Sequence, residues 1–422
     1  VVTGAASTLL DPTLRVATSV YASGPIRNGV VRGDLILYGR GDPTLSRRCY
    51  DTDTTRAGVC DRDPLDRFRD LADRLARLGI TAVEGDLVGD GSWFQGPLVH
   101  PTWETADLTW WYAAPVTGLG FNDNSVDVTA APTTPGAPAA ITLYPALPEI
   151  VLDNQTITGA AGDSLTFDLH WDPAPGQPWR LVATGTLPPG RTRRVYAAID
   201  DPNRFTALAF RTALAERGIV VHGNTTTTGD SLATRAARAG APLAETWSRP
   251  LADWIFPVLN TSQNWFAEML LRQLDRQLGG AGTWTGGIAL EHRWLIDSVG
   301  LDSTSFALRD ASGLSATNFM TPAAMTRMLS WMRVHPRWPV FSAGLPRSGQ
   351  PGSLRTRFVG TPLEGRVVAK TGSISTVNTL SGYIERDVGP PLVISILANH
   401  HLQGGSAMIA RMDSVVAVLV GR

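Results

Sequence analysis

Lys370 is the only lysine in a chain of 422 residues; the other long basic side chains are arginines. It opens the run Lys370-Thr371-Gly372-Ser373, which follows the alternating apolar residues 365–369. On a strand, this succession supplies an ammonium, a hydroxyl and a backbone without a Cβ. The ammonium could hold an anionic group, Thr371 could hydrogen-bond a carboxylate, and Gly372 could let an extended peptide approach the strand. The Ser373 N–H could stabilise an oxyanion. Taken singly, the run reads better as a surface lysine before a turn. A second stretch, Ser262-Gln263-Asn264, puts a hydroxyl and a carboxamide two residues apart at the head of a helical pattern. The pair could relay a proton and hold an amide, although Ser262 alone suits a helix N-cap. A third, "DASGLSATNFMTP", spans residues 310–322. A Ser-x-Asn loop followed by a Lys-Thr-Gly strand, in this order, is far more specific than either alone.

The elements that must position these groups are legible from apolar spacing. Residues 1–10 read as a helix stopped by Asp11-Pro12, and residues 35–38 as a short strand. Apolar residues at 65, 68, 71, 75 and 78 predict a helix over 64–78, with Gly79 ending it and a strand following. Residues 204–225 repeat the pattern of 67–86: helix, glycine, β-branched strand, glycine. Between about 122 and 202, Pro, Gly and Thr become dense among short alternating runs, which predicts a β-rich insertion. Helices return over 264–278, 284–299 and 321–334, the last with Thr321 as N-cap and Pro322 at its first position. Strands at 366–370, 380–384 and 392–398 and a helix over 406–419 complete an α+β arrangement.

Bulk properties narrow the function. The length predicts two or three domains, and a formal net charge of −1 without long charged runs argues against nucleic acid or a charged membrane surface as partner. No apolar run reaches the ~18–20 residues of a membrane span. The opening "VVTGAASTLL" lacks the initiating Met and charged flank of a signal peptide, so a chain starting at Val1 is expected to have been cut. Cys49 and Cys60 bracket a polar loop; a disulfide, and hence export, is expected. Free thiols are the alternative. None of the seven histidines falls in a zinc-binding spacing, and His400-His401 reads as exposed loop. No metal or organic cofactor is expected. A Gly-x-Ser-x-Gly elbow is absent, and the cluster "TWWY" at 109–112 reads as core.

These motifs resemble the D-alanyl-D-alanine carboxypeptidase/endopeptidase family of low-molecular-mass class C penicillin-binding proteins, peptidase family S13. The resemblance covers nearly the whole chain: "GDLILYGRGDPTLS", "SQNWFAEMLLRQL", "DASGLSATNFMTP" and "AKTGSISTVNTLSGYI" occur in the family's order. It implies a β-lactamase/transpeptidase-like domain, an antiparallel sheet with helices, formed by residues 1–122 and 245–422. Residues 123–244 would be the inserted β-rich part. It further implies that Ser262 passes a proton toward the leaving amine and that Asn264 holds a catalytic lysine and the substrate amide. Lys370 and Thr371 would grip the terminal carboxylate of D-Ala-D-Ala, Gly372 would admit the peptide, and the Ser373 N–H would form half of an oxyanion hole. The stretch "WETADLTWWY" is similar to one whose residues line the pocket for the stem-peptide side chain, which maps to Asp107 and Tyr112. The implied ligands are peptidoglycan stem peptides and β-lactam antibiotics, and the implied location is the periplasm or extracellular cell-wall space.

Two departures stand out. The family's nucleophile lies in Ser-x-x-Lys, one helical turn apart so that the amine can take the hydroxyl proton. With Lys370 as its only lysine, this chain has no such motif, and Ser7-Thr8-Leu9-Leu10 offers a serine without a base. "VVTGAASTLLDP" resembles the family's continuation of that motif, which would place the missing lysine about two residues before Val1. A non-catalytic peptidoglycan-binding protein, or a related β-lactamase or esterase, is the competing reading. Ala316 stands where the family often has arginine, which predicts an altered preference at the side-chain end of the stem peptide.

Overall fold

The computed structural model describes residues 1–48, 63–173, 179–227 and 231–420; the expected Cys49–Cys60 pairing lies outside the described residues. Helices form at Val2–Leu9, Leu65–Arg77, Pro202–Glu216, Asn264–Gln277, Trp284–Arg293, Pro322–Val334 and Gly405–Val420, close to the expected positions, and a further helix forms at Leu251–Leu259. Thr321 caps its helix by accepting from the Ala324 N–H, with Pro322 in the first turn. The Trp284 helix runs on as a π turn through Ser298.

Apolar side chains segregate into three large clusters. The first gathers the opening helix with those at 251–259, 264–277, 284–298 and 322–334. The small residues of "VTGAAS" let the opening helix sit close to its neighbours: a Cβ on Gly4 would come within 2.9 Å of the Trp294 ring. Ser7 is buried there and its hydroxyl donates to the Gly4 carbonyl, a structural bond.

The second cluster has members on both sides of residue 122. Val20, Leu35, Phe68, Leu87 and Phe121 pack with Val126, Leu181, Phe205 and Leu214. A division at 122/123 would cut through this core. The strand Ala17–Ala22 pairs with both Leu35–Gly39 and Ala244–Trp247, so the chain enters and leaves this unit through adjacent strands. Local periodicity shows that an element is amphipathic, not which core receives its apolar face. The repeated helix–strand unit is structural: Ala82–Val83 runs parallel to Val220–Val221, and residues 87–89 parallel to Thr225–Thr227. Their helices face each other, with Phe68 and Phe210 rings 5.6 Å apart. The β-rich stretch forms two three-stranded sheets. One orders Arg193–Ala198, Ser125–Ala131 and Ala140–Tyr144; the other orders Asp168–Trp171, Trp179–Leu187 and Ile150–Thr158.

The third cluster lies between the antiparallel sheet Val367–Ile374, Val377–Ile384 and Leu392–Ala398 and the last helix. The Lys370 strand is an edge of this sheet. It does not end at Lys370, as expected, but continues to Ile374, because Lys370 to Ile374 stay in register with Ser381 to Val377.

Candidate active site

The helix Leu251–Leu259 breaks into a tight turn in which the Gln263 N–H donates to the Pro257 carbonyl at 3.0 Å. That turn forces Ser262 to φ +62°, a left-handed conformation that non-glycine residues adopt rarely and at a cost. Ser262 is not a helix cap: Gln263 occupies the N-cap position, and no side chain caps this helix. The strained turn instead aims the Ser262 hydroxyl at Lys370, whose Nζ donates to Oγ at 2.7 Å. Lys370 also donates to the Thr371 carbonyl. Burial costs the ammonium its hydration and lowers the Lys370 pKa to about 8.

The edge strand is capped on one half and open on the other. The Ala369 N–H donates outward to the Pro346 carbonyl, and the Val367 carbonyl accepts from the Ser348 N–H. Backbone direction alternates along a strand, so the N–H groups of Thr371 and Ser373 also point away from the sheet. Past Ala369, this edge faces Ser262. Gly372 has a reason beyond approach from outside: a Cβ there would meet Thr379 Oγ1 of the paired strand at 2.4 Å. Ser373 Oγ accepts from Asn378 Nδ2 at 2.7 Å, and Asn378 Oδ1 lies 2.8 Å from His401 Nε2. His401 thus braces the strand.

Asn264 opens the next helix and its Nδ2 donates to the Tyr112 carbonyl at 3.0 Å. The Tyr112 hydroxyl donates to Asp107 Oδ1 at 2.9 Å, and burial with the Asp107 carboxylate pushes its pKa up to about 12. The expected site residues Asp107, Tyr112, Ser262, Asn264, Lys370 and Thr371 are therefore linked by direct bonds or by sequence adjacency across distant parts of the chain.

The Asp310 segment holds shape. Asp310 accepts from Trp103 Nε1 at 3.0 Å, the Ser315 N–H at 2.7 Å and Asn318 Nδ2 at 2.7 Å. Ala316 is exposed at its tip. Sequence reasoning missed the charges that fix this frame. Glu268 is fully buried and accepts from Trp284 Nε1 at 2.8 Å and the Ser312 N–H at 2.7 Å. Burial and the neighbouring Asp310 raise its pKa to about 7. Arg272, one turn on and also fully buried, donates to the carbonyls of Gly282, Val116 and Gln95 at 2.7–2.8 Å. Their signal was a Glu-x-x-x-Arg spacing whose Glu268 interrupts the apolar run 265–271, which reads equally as an exposed ion pair.

A family model described as the D-Ala-D-Ala carboxypeptidase 3 (S13) family matches residues 1–419. The D-alanyl-D-alanine carboxypeptidase of Actinomadura sp. (strain R39) is 31% identical over 409 residues, covering 94% of this chain and 71% of that protein. The D-alanyl-D-alanine carboxypeptidase DacB of Haemophilus influenzae is 24% identical over 408 residues, covering 95% and 79%. Among solved structures, penicillin binding protein 4 (dacB) from Haemophilus influenzae aligns with a TM-score of 0.78 at 22% identity, over 96% of this chain and 84% of that one. The same protein complexed with a novel beta-lactam gives a TM-score of 0.75 at 20% identity, over 99% and 89%. The transpeptidase-like fold with an inserted region is shared with these structures.

Proposed function

The chain belongs to the D-Ala-D-Ala carboxypeptidase 3 (S13) family, and from that premise we propose that its site serves a serine-type D-Ala-D-Ala carboxypeptidase. The substrate would be a peptidoglycan stem peptide, cleaved through an acyl-enzyme, with β-lactams as covalent inhibitors; cleavage of cross-links is a second activity of the same chemistry. The observation that carries this reading is the 2.7 Å contact between Lys370 Nζ and Ser262 Oγ at the open strand edge. A carboxylate laid along that edge meets the Lys370 ammonium and the Thr371 hydroxyl, while a carbonyl beside it meets the outward Ser373 N–H. Ser262, bonded to Lys370, is placed to pass a proton to the leaving amine. Asn264 steadies the Tyr112 loop and would orient the substrate amide, and Asp107 with Tyr112 would line the side-chain pocket. The exported location follows from the substrate; no helix among the described residues is long and apolar enough to cross a membrane.

These 422 residues hold no Ser-x-x-Lys, so the serine and lysine of acylation are not a pair within them. The test is acylation by a labelled penicillin, read by intact mass. The natural gene product is expected to gain one adduct, and these 422 residues alone, which hold no Ser-x-x-Lys, none. If no adduct forms on the natural gene product, the protein is a peptide-binding relative without catalysis.

A further inference from the structure

Beside the second motif lies a cavity of about 320 Å³ that the proposed chemistry does not use. Its near wall is Gln263, which sits between Ser262 and Asn264, together with Trp111, the neighbour of Tyr112. Its far wall comes from Arg47 and Arg48, which precede the inserted region, and from Asp127, Arg194 and Tyr196 within it. The bridge between Trp110 and Ala197 ties the two walls together. The volume is at the lower end for small-ligand sites.

The lining carries three guanidinium groups against one carboxylate. Two are fixed: Arg47 Nε lies 2.9 Å from Asp127 Oδ2, and Arg48 reaches Asp127 Oδ1 and Asp123 Oδ2, each at 3.0 Å. Arg48 also stacks on Tyr196 at 4.0 Å. Arg194 makes no hydrogen bond or ion pair with any described residue and is exposed at the cavity rim. Trp111 and Tyr196 meet edge-on, with ring centres 6.3 Å apart, and give the cavity an aromatic wall. Fixed cations, one uncommitted guanidinium and aromatic surface suit a carboxylate carried on a partly apolar arm.

We propose that this cavity is an anion-accepting subsite, in which Arg194 receives a carboxylate on the part of the peptide ligand remote from its D-Ala-D-Ala end. The inserted region would thereby take part in substrate selection. The inference rests on the peptide groove proposed above. Gln263, between Ser262 and Asn264, is where the proposed groove and this cavity meet.

The test is calorimetric binding of two peptides ending in D-Ala-D-Ala, one capped with succinyl and one with acetyl at the other end. The wild-type chain is expected to bind the succinyl peptide roughly five- to tenfold more tightly, the scale of one charge-assisted hydrogen bond at a partly exposed site. In Arg194→Gln the ratio of the two affinities is expected to fall to about one, and in Arg194→Lys to recover in part. Circular dichroism confirms that the variants fold. Equal affinities in the wild type, with both peptides still lost in Lys370→Met, overturn the subsite and leave the groove standing. A succinyl preference that survives in Arg194→Gln also overturns it. Binding of both peptides that is indifferent to Lys370→Met overturns the groove and the subsite together.

Discussion

Desolvation leaves Lys370 with a pKa of about 8, and that value makes the groove a pH-dependent receptor. About nine-tenths of the side chain is protonated at pH 7 and about one-tenth at pH 9. If the ammonium is the group that holds a terminal carboxylate, affinity for a D-Ala-D-Ala peptide falls about tenfold between these pH values, or about 1.4 kcal/mol. The same titration affects folding. The unfolded lysine keeps its proton to about pH 10.4, so unfolding takes up a proton between about pH 8 and pH 10. Stability therefore rises with pH across that window, by up to about 3 kcal/mol. Lys370→Met should bind the peptide weakly at every pH and lack both slopes. Lys370→Arg keeps its charge, but its planar fork does not fit a gap set by a 2.7 Å contact to Ser262, so weak binding without pH dependence is expected. The assays are isothermal titration from pH 6.5 to 9.5 and urea unfolding over pH 7.5 to 10.5. An affinity that stays flat between pH 7 and 9, or a Met variant with the wild-type slope, refutes the assignment of Lys370 as the carboxylate's cation.

Two further expectations concern the buried charges. Glu291 is held by burial at a pKa of about 8, with one carboxylate oxygen lacking a hydrogen-bond partner. A carboxyl group with a raised folded pKa stabilises at low pH, and its contribution is lost as pH rises from about 4.5 to 8. Glu291→Gln should therefore be more stable than wild type at pH 8, by about 2–4 kcal/mol, and the gain should shrink toward pH 5 in urea titrations. Arg272→Met leaves the Gly282, Val116 and Gln95 carbonyls without their donor, and a loss of about 3–5 kcal/mol is expected in the same assay. A loss below about 1 kcal/mol would mean that water replaces the guanidinium.

Much of the frame was legible because its signals are local. Apolar spacing located the helices at 65–77, 264–277 and 322–334, and Thr321-Pro322 marked a cap that the structure contains. The repeated helix–glycine–strand pattern marked two units that pair in parallel. Which core receives each apolar face was not legible. Val20, Leu35, Phe68 and Leu87 pack with Val126, Leu181 and Phe205, and an amphipathic pattern is the same whichever core receives it. Glu268 and Arg272 escaped notice because a charged pair one turn apart normally faces water.

By itself the sequence determined the inventory of the site. It contains a solitary lysine on a strand with Thr-Gly-Ser, a Ser-x-Asn loop before a helix, and an Asp-Tyr pair, in an order shared with one enzyme family. Composition and order are properties of a chain and survive without folding. Only the tertiary structure decided what those groups touch. It put Ser262 in a left-handed turn rather than a cap, and brought its hydroxyl to Lys370 across 108 residues. It placed Lys370 on an edge strand and set Arg47, Arg48 and Arg194 beside Gln263. Contacts between remote segments depend on how three cores pack against one another, and no local pattern of residues encodes that packing by itself.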